Sequence, residues 1–239
     1  MLAKYEGEIQ ELKIKVAEKG QSLADDIARV AAARDALPNA RLKVDANMGY
    51  TLAGALDALR KLCEYGIIYA EQPVASIEDM AALRFAIAKE GLPARIAADE
   101  SIRRAEDPLK VARANAADLM VIKAAPLGGV RRALALVEQA QLPAVVSSAL
   151  ESSVGIATGA SLAASLPTLR YGCGLGTVSL MAEDVTDEPL IARDGFMDLR
   201  TITPSLQRLE RLATDEQTRQ WWVERVTACY RVLKRASGL

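Results

Sequence analysis

The chain has 239 residues, 51% hydrophobic, 26% charged and 4% aromatic, and 30 Lys plus Arg against 31 Asp plus Glu leave a net charge of −1. Balanced charge with so few aromatic rings argues against a nucleic-acid surface, and the length suits one large domain or two small ones. No histidine is present, which excludes Ser-His-Asp and Cys-His catalysis and His-ligated zinc together.

The N-terminal stretch MLAKYEGEIQELKIK lacks the apolar core of a signal peptide, and residues 1–11 read as the end of a helix leading into a first strand, LKIKVAE (12–18). Leu23, Ile27, Val30 and Leu37 then mark one face of a helix. The second strand is RLKVDAN (41–47), followed by a helix through Leu52, Leu56, Leu59 and Cys63. Strands IIYAEQP (67–73), RIAADES (95–101) and LMVIKAA (119–125) come next, with a helix through Val130, Leu134 and Val137. PAVVSSA (143–149) and, more weakly, YGCGL (171–175) complete seven strands. Trp221, Trp222, Val226, Tyr230 and Leu233 lie at helical spacing and are expected to pack rather than bind a ligand. Cys63, Cys173 and Cys229 are far apart, so neither a disulfide framework nor a thiolate metal site is expected. No apolar run approaches the roughly 18 residues of a membrane span. The expectation is a cytoplasmic globular protein with no nucleic-acid or membrane partner.

Strands alternating with helices imply βαβ units and a parallel sheet. The residues closing the runs are Lys15, Asp45, Glu71, Asp99, Lys123, Ser148 and Gly174, spaced 24 to 30 apart. Buried parallel strands should read as nearly continuous apolar runs, yet these end in charge at the same point of each unit. In a (β/α) barrel all strand C-termini open on one face, where the active site sits. The fold class expected is therefore α/β, a TIM-like (β/α) barrel over residues 1–200, with a helical extension at 201–239 packed on it.

Asp45, Glu71 and Asp99 come from consecutive strands, and three packed carboxylates repel unless a cation joins them. An oxygen-only ligand set points to a hard divalent ion, Mg²⁺ first, with Mn²⁺ as a substitute. Lys15 and Lys123 flank the carboxylates from opposite sides. A lysine beside a cation has its pKa pushed down and can act as a base. The chemistry using this set removes a proton alpha to a carboxylate while the metal holds the enediolate.

The motifs Lys-Ile-Lys (13–15), Asp-Ala-Asn (45–47), Glu-Gln-Pro (71–73), Ala-Asp-Glu-Ser (98–101) and Lys-Ala-Ala-Pro-Leu-Gly-Gly (123–129) resemble the enolase superfamily. Within it, KIKVAEKGQ, AADESIRRAEDPL, VVSSALESSVGIA and CGLGT resemble the actinobacterial o-succinylbenzoate synthase family. The resemblance implies Mg²⁺-dependent dehydration of a succinyl-hydroxycyclohexadiene carboxylate in menaquinone biosynthesis. Lys15 is then base and later acid, Lys123 a cation facing the enediolate, and Asp45, Glu71 and Asp99 the metal ligands. Lys13 and Asn47 are implied as supporting residues, and Ser147, Ser148, Gly174 and Gly176 as the lining of the substrate cavity.

Family members also carry an N-terminal capping domain and one earlier barrel strand, and neither is found in this sequence. The expectation is a truncated or split form that self-associates or takes a complementing N-terminal chain. Without the cap, Leu180, Leu190 and Phe196 lose a partner. Two other readings stand beside this one: a racemase or epimerase of the same superfamily, whose 1,1-proton transfer also suits two facing lysines, and an inactive fragment that binds another polypeptide. Gly128-Gly129 reads as a tight turn, Cys173 as a small buried apolar residue, and Arg103-Arg104 as solvent-facing.

Overall fold

The computed structural model describes residues 9–104 and 106–237, so most of the helix end expected at 1–11 lies outside them. Strand β1 (Glu11–Lys15) leads to helix α1 (Leu23–Ala36), β2 (Arg41–Asp45) to α2 (Leu52–Leu62), and β3 (Ile67–Glu71) to α3 (Ile77–Glu90). Strand β4 (Arg95–Ala98) is followed by two one-turn helices, α4 (Glu100–Arg103) and α5 (Lys110–Arg113). Strand β5 (Leu119–Ile122) leads to α6 (Val130–Ala140) and β6 (Ala144–Val146) to α7 (Ser153–Ala164); α8 (Leu206–Arg211) and α9 (Glu216–Ser237) follow. The strands form one parallel sheet in chain order, β1 to β6, a partial barrel wound by right-sized βα units.

Local chemistry sets the helix starts. Ser22 and Asp25 form a reciprocal capping box on α1, and the hydroxyls of Thr51 and Ser76 accept the backbone N–H of Gly54 and Asp79 on α2 and α3. Gly128 and Gly129 both take positive φ immediately before α6, the tight turn expected there.

The strands bury both faces, but differently. Ile14, Val44, Ile96, Met120, Ile122 and Val146 point outward into the apolar layer under the helices, against Val30, Leu59, Met80 and Ile156. The alternate residues point inward, where Tyr69, Ala97, Leu119, Val121, Val145 and Tyr171 make a second, smaller cluster. At β2–β3, Leu42 pairs with Ile67 and Lys43 with Tyr69, so Ile68 is an extra residue. That bulge lets Ile67 face the helices while Tyr69, two residues on, faces inward.

The seventh strand is not formed. Of YGCGL only Gly174 bridges to the sheet, pairing with Ser147. Glycine at 172 and 174 weakens the strand, and side chains replace the ladder on its other side. Gly172 N–H donates to Glu11 Oε2 at 2.8 Å, and Lys43 Nζ donates to Gly172 O at 3.0 Å. The buried Lys43 also pairs with Glu11, so two charged inward residues of β1 and β2 span the gap.

Two other expectations change. Leu180 and Phe196 are exposed, but Leu190 is buried. Asp184 accepts the N–H of Ser153 at the start of α7, and the Ser153 hydroxyl accepts the N–H of Leu190 at 2.7 Å, pinning this segment to the barrel. On α9, Trp221 and Trp222 are 52% and 54% exposed and Val226, Tyr230 and Leu233 are exposed too. The two indoles meet edge to face at 4.7 Å, and the stripe does not form the expected buried face. Because these are the chain's two tryptophans, its indole fluorescence should be red-shifted and freely quenched by acrylamide. A blue-shifted, protected emission would place α9 against the barrel instead.

Gly49, in the loop after β2, is required by contact. A Cβ there would lie 2.6 Å from Ala17 O and 2.9 Å from Ala46 O, both backbone atoms that cannot swing away. Gly49→Ala should therefore cost about 1–3 kcal/mol as overpacking does, read as a lowered urea midpoint with an unchanged slope.

Candidate active site

Lys15, Asp45 and Glu71 are the last residues of β1, β2 and β3, and the sheet register places them side by side. Asp99, Lys123 and Ser147 immediately follow β4, β5 and β6. The inward alternation delivers all six to one end of the partial barrel, and Asp45, Glu71 and Asp99 are each 1% exposed.

Every one of the three carboxylates is held by a cation. Lys15 Nζ lies 2.6 Å from Asp45 Oδ2 and also donates to Asn47 Oδ1. Lys13 Nζ bridges Glu71 Oε1 at 2.8 Å and Asp45 Oδ2 at 3.3 Å. Lys123 Nζ sits 2.7 Å from Asp99 Oδ2, and Arg103 Nε lies 3.1 Å from Asp99 Oδ1. Arg103 thus faces the site rather than solvent, because one-turn α4 folds it back over Asp99 and Glu100.

These neighbours split the carboxylates electrostatically. Burial alone would raise the pKa of Asp45, but the ammonium groups of Lys13 and Lys15 and the N–H of Asn47 outweigh it and hold the carboxyl below its ordinary range. At Glu71 burial wins: with the charges of Asp45 and Asp99 added, it overcomes Lys13 and pushes the carboxyl up to about 7. Burial pulls Lys13 down, yet Glu71 and Asp45 more than offset this and leave it raised.

Among the described residues, no three acidic or cysteine side chains already surround one point as a finished ligand cage. The donor set nevertheless fits a hard cation. Glu71 Oε2 is buried without a hydrogen-bond partner, the kind of uncompensated oxygen that a divalent ion satisfies. Asp45, Glu71 and Asp99 offer oxygen donors alone, which suits Mg²⁺ or Mn²⁺.

Lys13, Glu71, Ser147, Gly174 and Gly176 line a groove of about 900 Å³ that runs between β1 and residues 169–176. Ser148 is not among its lining residues; its hydroxyl is 2.9 Å from that of Thr177. Cys173 is half-buried on the groove wall, more open than a core residue. Two residues of the site lacked an assigned role in the sequence. Glu100 is buried beside Asp99, accepts from Asn47 Nδ2 and Arg103, and leaves its own Oε2 unpartnered. Gln72, the middle residue of Glu-Gln-Pro, is fully buried. Both immediately follow a strand-closing acid, the one signal that marks them.

The family model described as Enolase C-terminal domain-like matches residues 2–204. The chain is 50% identical over 234 residues to an o-succinylbenzoate synthase of Mycolicibacterium smegmatis, covering 98% of this chain and 70% of that protein. It is 49% identical over 239 residues to the Mycobacterium bovis protein of that name, covering 100% of this chain and 71% of the relative. Among solved structures, muconate cycloisomerase from Pseudomonas fluorescens superposes with a TM-score of 0.74 at 30% identity, over 84% of this chain. Muconate lactonizing enzyme from Pseudomonas putida gives 0.75 at 27% identity, over 87%. The chain spans 57% and 59% of those two structures.

Proposed function

The chain belongs to the Enolase C-terminal domain-like family, and from that premise we propose that it is the catalytic barrel of an o-succinylbenzoate synthase. The reaction is elimination of water from a cyclohexadiene carboxylate bearing a hydroxyl and a succinyl chain, giving o-succinylbenzoate, in the cytoplasmic synthesis of menaquinone. The observation that carries this reading is the series Lys15, Asp45, Glu71, Asp99, Lys123 on five successive strand ends.

Lys15 takes the proton alpha to the substrate carboxylate; the C–H electrons pass into the carboxylate as an enediolate. Lys123, fixed by Asp99 on the far side of the site, supplies a preorganised positive charge to that developing anion. The enediolate then collapses, the ring C–O bond breaks, and the proton held on Lys15 leaves with hydroxide as water. Asp45, Glu71 and Asp99 hold Mg²⁺, which when bound lowers the energy of negative charge on the substrate carboxylate. Lys13 keeps Asp45 and Glu71 together, and Asn47 orients Lys15 through its side-chain oxygen. The edge of β1, unpaired among the described residues, takes a complementing segment from another polypeptide or a second copy.

The test is ultraviolet-monitored dehydration of the precursor with Mg²⁺, with and without the part of the Mycolicibacterium smegmatis relative that this chain does not cover. EDTA-sensitive turnover in either mixture is the expected result. Absence of turnover in both, or deuterium exchange into an N-succinylamino acid without dehydration, would overturn the assignment.

A further inference from the structure

Gln72 is fully buried, and every polar atom it carries is used. Its Oε1 accepts the backbone N–H of Asp99 and of Ser101, each at 3.1 Å. Its Nε2, with two hydrogens to donate, has three acceptors within reach: Ser101 Oγ at 2.7 Å, Val74 O at 3.0 Å and Met80 Sδ at 3.0 Å. Its main chain continues the pattern: the N–H donates to Ala97 O at 2.8 Å, and the C=O accepts from Met48 N at 2.8 Å. One residue, with φ at +37°, therefore ties together the segments that follow β2, β3 and β4.

Two of these segments start directly after Asp45 and Glu71, and the third begins with Asp99. We propose that Gln72 is a positioning residue for the carboxylate triad, fixing the spacing of the three acids and so setting the affinity of the chain for a divalent cation. The inference rests on the metal-binding reading above. A carboxamide is the side chain that can do this, because one end must accept two N–H groups and the other must donate to a carbonyl and a hydroxyl. A carboxylate would serve the first end alone, and an apolar chain neither. Outer-shell partners of this kind are worth about 10- to 100-fold in metal affinity.

Mn²⁺ binding, followed by electron paramagnetic resonance on the intact chain, tests it in Gln72→Met, which keeps length and bulk, and Ser101→Ala, which frees one end of the amide. Gln72→Met should bind Mn²⁺ about 10- to 100-fold more weakly than wild type, and Ser101→Ala more weakly by a smaller factor. A merely structural residue would lower the unfolding midpoint equally with and without Mn²⁺; a positioning residue lowers it more with the ion present. Wild-type affinity in a folded Gln72→Met overturns the proposal, and if that variant does not fold, unchanged affinity in Ser101→Ala does so. If wild type itself binds no Mn²⁺, the metal reading fails separately. Amide exchange at Asp99 and Ser101 then reports on Gln72: equal rates in wild type and Gln72→Met overturn the positioning role as well.

Discussion

Lys15→Met should abolish dehydration, lowering kcat by about 10³-fold or more, while leaving the fold and cation binding in place. General-base groups contribute about 10²- to 10⁴-fold, and Lys15 is asked to work twice, as base and then as acid. Its ammonium is about half exposed at the mouth of the site, so losing its ion pair with Asp45 costs little stability. Removing a cation that competes for Asp45 should, if anything, strengthen Mn²⁺ binding. Lys15→Arg separates charge from proton transfer: guanidinium keeps the positive charge but does not release a proton near neutral pH, and it should fail to the same degree. Either variant retaining more than a tenth of wild-type kcat would show that another group takes the proton.

The candidate set at the strand ends was legible in the sequence because it sits where two constraints conflict. Inward positions of parallel strands should be apolar, so Lys15, Asp45, Glu71, Asp99 and Lys123 stand out at the ends of otherwise apolar runs. The six strands were legible for the complementary reason, since their outward residues satisfy the rule. What was hidden depended on contacts that no local pattern encodes. YGCGL reads only weakly as a strand because of its two glycines, whether it pairs depends on a neighbour, and Glu11 and Lys43 take the groups that a ladder would use. Arg103 resembles a solvated loop residue until a single helical turn returns it to Asp99. Gln72 was visible as a motif letter, yet its role lies in seven polar contacts with six residues scattered from Met48 to Ser101. The α9 stripe has the spacing of a packing face, and periodicity cannot say whether a surface exists to receive it.

Glu71→Gln should raise the stability of the metal-free chain and remove its stabilisation by Mg²⁺. The carboxyl of Glu71 titrates at about 7 in the folded chain, against 4.5 for an ordinary glutamate. The folded state therefore holds the proton more tightly than the unfolded state. Stability is unaffected by this group below about pH 4.5, falls as pH rises from there to about 7, and carries the whole penalty above it. The shift corresponds to roughly 3 kcal/mol at pH 8, concentrated in a carboxylate with one oxygen unpartnered. Glutamine has no proton to lose, so in EDTA it should recover about 2 kcal/mol at pH 8, the remainder lost because a buried amide satisfies its surroundings less well than the protonated carboxyl does. At pH 5 the two proteins should unfold at nearly the same urea concentration. Saturating Mg²⁺ reverses the order at pH 8: at 100 times its dissociation constant the ion adds about 2.7 kcal/mol to a protein that binds it, and the variant lacks a ligand oxygen with which to bind. Equal or lower stability of Glu71→Gln in EDTA at pH 8 would mean that Lys13 already neutralises Glu71. In that case the buried carboxylate would be an ordinary ion pair, with no free energy held in reserve for a cation.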